Sequence, residues 1–148
     1  MQTFFLSLIL ISGLLFFPSI DARALGTIGI IKSVSGEVHL INATSTIKAL
    51  ANMKLNQGDS IRTGPNSNVG LIFDDDTVVS LGSNSEMSIT EFLFHPAAQE
   101  LSFVATLITG TFSFISGQIA KLAPDKITLE TPDATLGVRG TKFLVKID

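Results

Sequence analysis

Residues 137–142 read GVRGTK. Two glycines, an arginine, a threonine and a lysine within six positions invite a phosphate-binding reading. A P-loop orders such residues as Gly-x-x-x-x-Gly-Lys-[Ser/Thr] between a strand and a helix, so that backbone amides and the helix terminus face the phosphate. Here the order is Gly140-Thr141-Lys142, and the KFLVKI that follows alternates like a strand. The dinucleotide fingerprint fails on its glycine spacing. The segment is therefore expected to be structural. Gly137 and Gly140 mark a bend or a close backbone approach. Arg139 either satisfies a carboxylate, with Asp59 and Asp133 as candidates, or faces a partner.

Asp74, Asp75 and Asp76 raise the question of calcium, which takes six to eight oxygen ligands. Tandem aspartates are not the alternating loop of an EF-hand, and neighbours in an extended chain point to opposite faces. The expectation is a tight hairpin turn, in which Asp tolerates left-handed backbone. His39 and His95 stand far apart with no evident third ligand, so no metal and no cofactor are expected. There is no G-x-S-x-G elbow, and no histidine is placed to serve a nucleophile, so no catalytic residues are assigned. Asn42-Ala43-Thr44 fits a glycosylation acceptor, which matters only in a eukaryotic secretory route.

The elements that must position these residues read as strands. VGLIF places Val69, Leu71 and Phe73 on one face. EMSITEFLF places Met87, Ile89 and Glu91 together, and LSFVATL does the same for Leu101, Phe103, Ala105 and Leu107. KITLE pairs Ile127 with Leu129, and KFLVKI aligns Phe143, Val145 and Ile147. Period-two alternation is the mark of half-buried strands. Turn signals fall between the runs at Ser35-Gly36, Gln57-Gly58-Asp59, Gly64-Pro65-Asn66, Asp74–Asp76, Gly82–Asn84, His95-Pro96 and Thr109-Gly110. GQIAKLAPD, ended by Pro124, is the one expected helical piece. The predicted class is all-β: a solenoid-like or sandwich-like stack of short antiparallel strands.

The chain carries 148 residues, a net charge of −3 and no cysteine. Its ten Lys and Arg are scattered singly, which argues against a nucleic-acid partner. Eleven Phe supply all the aromatic mass, which weakens the case for a sugar- or base-stacking surface. The apolar run Phe4–Phe17 is short of the about 20 residues that span a bilayer, and suits a signal peptide. DARA follows, with Ala22 and Ala24 spaced for cleavage. The expected organisation is a signal helix over 1–24 and one β domain over 25–148. If the segment stays uncleaved it is a membrane anchor, the only membrane contact foreseen.

From Gly36 onward the order of signals resembles the FecR-type domain. The resemblance is carried by Gly58-Asp59 with Thr63-Gly64 and Asn66-Ser67, by Gly110 and Phe112, by Thr131-Pro132 with Ala134, and by Val138-Arg139-Gly140-Thr141 with Phe143 and Val145. It covers roughly residues 28–147. It implies an all-β periplasmic module. In iron-transport regulators that module belongs to an anti-sigma factor receiving a signal from an outer-membrane receptor. The expected function is thus a non-catalytic exported β-module for protein interaction or signal sensing in the bacterial envelope, periplasmic or secreted. Its partner would be another envelope protein or a second copy, and Arg139 is the candidate contact. The alternative is a small-ligand or glycan binder, assisted by calcium at the Asp-rich turn.

Overall fold

The computed structural model describes residues 26–148. The expected signal helix over 1–24 lies outside the described residues. Twelve strands follow in the order β1 (Thr27–Ser35), β2 (Val38–Ile41), β3 (Thr46–Lys48), β4 (Lys54–Asn56), β5 (Ser60–Thr63), β6 (Asn68–Phe73), β7 (Val78–Leu81), β8 (Glu86–His95), β9 (Glu100–Ile115), β10 (Ile127–Glu130), β11 (Thr135–Gly137) and β12 (Lys142–Ile147). Among the described residues there is one α-helix, α1 (Gln118–Leu122), between β9 and β10 within the expected helical stretch, with short 3-10 turns at Pro96–Ala98 and Pro124–Lys126. No helix among the described residues is long and apolar enough to cross a membrane.

The strands form one continuous sheet, β3-β2-β5-β8-β9-β7-β6-β1-β4, curled into a half-barrel. The side chains facing into the curl make the core. Ile31, Leu55, Ile61, Leu71, Met87, Ile89, Phe103, Leu107 and Phe112 are fully buried. Phe73, Phe92 and Phe103 meet at ring centroid distances of 5.0–5.8 Å. The alternation predicted for residues 69–73, 101–107 and 127–130 holds.

Three expectations are corrected. The strands are not all short and antiparallel: β9 runs for 16 residues, and its pairing with β10 is parallel. Its first half pairs with β8 and β10, and its second half with β7 and β12. Thr109-Gly110 is therefore not a turn but a bend inside β9. Gly110 has φ +106°, and any Cβ there would collide with Ser85, so the bend requires glycine. Finally, Glu91 does not share the inner face with Met87 and Ile89. The β8–β9 register shifts between Ile89 and Glu91, and the extra residue turns Phe92 inward.

Candidate functional site

The Gly58-Asp59 and Thr63-Gly64 stretch builds a buried polar seam. Gly58 has φ +90° in the turn between β4 and β5. Its N–H donates to the Ile89 carbonyl, and the Ile89 N–H returns to the Asp59 carbonyl at 2.9 Å. The Asp59 side chain accepts the Asn56 N–H at 2.8 Å. Burial pushes the Asp59 carboxyl above its ordinary pKa, and the Asn56 hydrogen bond offsets part of that rise. Thr63 Oγ1 accepts the Ser85 N–H at 2.9 Å and donates to the Gly82 carbonyl. Ser85 Oγ in turn accepts the Thr111 N–H at 3.0 Å. The Gly64 N–H donates to Glu37, and Ser67 Oγ accepts the Glu37 N–H at 2.8 Å. These hydrogen bonds tie the turns of the seam to one another.

The aspartate triplet acts in the same way. Asp75 is fully buried at the β6–β7 hairpin, where Asp76 supplies the left-handed residue at φ 69°. Its carboxylate accepts the Thr77 N–H, the Thr77 hydroxyl and the Ile119 N–H at 2.8–3.2 Å. Its carbonyl accepts the Gln118 N–H at 2.7 Å. Asp75 thus caps α1 from across the fold, because the N-cap residue Gly117 has no side chain to do so. Gly117 must be glycine, since a Cβ there would overlap the Asp75–Thr77 backbone. No group of three His, Asp or Glu close enough for a metal occurs among the described residues. His39 lies 4.0 Å from Glu37, and His95 ends β8. Asn42 folds its side chain onto Thr44 and Ser45 in an Asx turn.

The GVRGTK segment lies elsewhere, on the rim of an open cleft. Gly137 closes β11, Val138 is buried, and Gly140 turns at φ +119°. The Gly140 and Thr141 carbonyls accept the Ser116 hydroxyl and N–H at 2.9 and 2.8 Å. Strand β12 follows, not a helix, so the phosphate-loop reading has no structural support. A Cβ on Gly137 or Gly140 would meet nothing within 4 Å, so Gly140 serves a bend and neither serves a close approach.

Arg139 does not find the expected carboxylate. Among the described residues none lies within 4.0 Å, and Arg139 is exposed. Asp59 is buried in the polar seam. Asp133 stands at the tip of the β10–β11 hairpin beside Pro132, where Thr131 and Ala134 close the turn. The open cleft encloses about 1000 Å³. Its floor includes Ala120, Ile127, Leu136 and Val138, and its rim carries Lys121, Asp125, Arg139 and Thr141. Of the sequence-assigned residues, Val138, Arg139, Gly140 and Thr141 meet here. Gly58, Asp59, Thr63, Gly64 and Pro132 do not. Sequence reasoning missed Lys121 and Asp125. Their helical segment was visible, but its place beside Arg139 depends on capping by Asp75, 44 positions from Ile119.

No curated protein and no solved structure matches the chain. The family described as FecR protein matches residues 59–148, from the Asp59 turn through β12. The match starts later than the 28–147 suggested by the sequence signals, yet it holds most of the landmarks named above and more than half of the chain. This chain belongs to the FecR family.

Proposed function

We propose that the chain is an exported, non-catalytic FecR-type module that binds another protein of the bacterial envelope, in a signalling or regulatory role. Family membership supports the regulatory setting, and the apolar run Phe4–Phe17 with DARA behind it supports export to the periplasm or beyond. One observation carries the binding site. Arg139 is exposed over a cleft with an apolar floor, and among the described residues no carboxylate comes within 4.0 Å of it, although Asp125 shares the rim. A guanidinium left free at the rim suits a bidentate carboxylate on a partner, the contact for which Arg is the preferred donor.

The test is capture from envelope extract with wild-type protein and with Arg139→Ala. The expected result is an identified partner bound at least tenfold more weakly by the variant, with an unchanged melting temperature. A lowered melting temperature would make Arg139 structural, and equal capture would remove it from the interface. The small-ligand alternative draws on the volume of the same cleft, which lies at the upper end of the small-molecule range. Its glycan form is disfavoured because no aromatic residue lines the cleft. Its calcium form is disfavoured because Asp75 is fully engaged within the fold.

A further inference from the structure

Strand β12 pairs with β9 along one edge and with nothing along the other among the described residues. At six residues it is a long edge. The edge strands β3, β4 and β11 have three residues each, too short to template much pairing. The inner face of β12 is also unfinished. Phe143, Val145 and Ile147 pack on the core but stay half-buried. On the outer face Leu144 is 72% exposed between Lys142 and Lys146. A further strand alongside β12 would cover the inner row and complete its hydrogen bonding.

We infer that this strand is β12 of a second copy, running antiparallel about a two-fold axis at Val145. The sequence of the edge is self-complementary in that register. Residues directly opposite share a face. On the inner face Val145 meets its own counterpart, and Phe143 meets Ile147. On the outer face Leu144 meets Lys146, and Lys142 meets Asp148, the carboxylate already placed 3.5 Å from Lys146. A slip by one residue would set the apolar inner row opposite the outer-face row that carries Lys142, Leu144 and Lys146. A slip by two residues toward the loop would bring in Thr141, outside the strand. Pairing β12 with the opposite edge, β4, would engage only three residues and propagate head to tail without closing, whereas β12 on β12 closes as a dimer. This inference does not rest on the cleft reading, because the residues it uses do not line that cleft.

The absence of native cysteine makes the register directly testable. In the full-length protein, Val145→Cys places one thiol opposite its own counterpart. Lys142→Cys places the same thiol about 20 Å from its counterpart at the strand rise of about 3.4 Å. Under mild oxidation, a non-reducing gel should show a Val145→Cys dimer at least tenfold stronger than the Lys142→Cys dimer. Adding Leu144→Lys to Val145→Cys sets lysine opposite Lys146 at two places. The crosslink should then fall at least tenfold with no change in melting temperature. Equal crosslinking by the two single variants would overturn the register. A folded Val145→Cys protein that stays monomeric, or that crosslinks only to a different protein, would overturn the second copy as occupant.

Discussion

Thr63 shows how a single hydroxyl holds this fold together. Its Oγ1 accepts the Ser85 N–H and donates to the Gly82 carbonyl in a site 3% exposed. Thr63→Val keeps the shape and strands the Ser85 N–H, which should cost about 1–3 kcal/mol in urea unfolding, with Thr63→Ser recovering most of it. Asp59 makes a second prediction, on pH. Burial raises its native pKa above the ordinary 3.8, so the folded state holds a proton where the unfolded chain has lost it. Its contribution to stability is therefore fully present below the ordinary value and is lost as pH rises through the raised one. Asp59→Asn keeps an acceptor for the Asn56 N–H and removes the titration. Its stability relative to wild type should be highest near neutral pH and should shrink on acidification through that window. A difference that stays flat with pH would show that burial does not tune this carboxyl. Both residues were visible in the sequence as family landmarks. The partner of Thr63 was not, because Ser85 lies 22 positions away and is matched to it only by the folding of a separate turn, whereas Asn56 sits in the same turn as Asp59, three residues before it.

Among the elements, α1 depends most on a distant residue. Five residues cannot sustain a helix alone. Ile119 anchors it in the core, and Asp75 receives its leading amides. Asp75→Ala should cost about 1–3 kcal/mol for each buried donor left without a partner. It should also raise hydrogen exchange at the Ile119 amide well beyond the change seen in β6. Because Ala120 and Lys121 line the cleft, the same variant should weaken any partner that Arg139 engages. Calcium addition should leave the wild-type melting temperature unmoved, since Asp75 has its acceptors occupied. Strands β6, β10 and β12 were legible because each keeps strict period two with one face toward the core. The two irregular places were not legible. One extra residue near Thr90 reverses the phase of β8, and Gly110 carries the same residue signal whether it ends a strand or bends one. The reversal left one trace in the sequence: Phe92 and Phe94 continue an apolar alternation out of step with Met87 and Ile89.

At the scale of the whole molecule, β9 decides whether the half-barrel unfolds as one body. Its first half pairs with β8 and β10, and its second with β7 and β12, so neither half of the sheet can lose it without disturbing the other. The Phe73, Phe92 and Phe103 cluster reinforces this link, since its rings come from β6, β8 and β9. A solenoid-like stack of short strands, in which each unit contacts only its neighbours, could melt piecemeal. A shared central strand predicts a single transition, in which calorimetric and van't Hoff enthalpies agree. Phe103→Ala is the decisive variant, because Phe103 is 1% exposed and touches both other rings. Removing a buried phenyl ring costs about 3–5 kcal/mol, a large share of the about 5–15 kcal/mol that holds a domain folded. The transition should move down by roughly 10–20 °C and remain single. A scan that split into two transitions would show that the two halves fold separately and that β9 does not couple them.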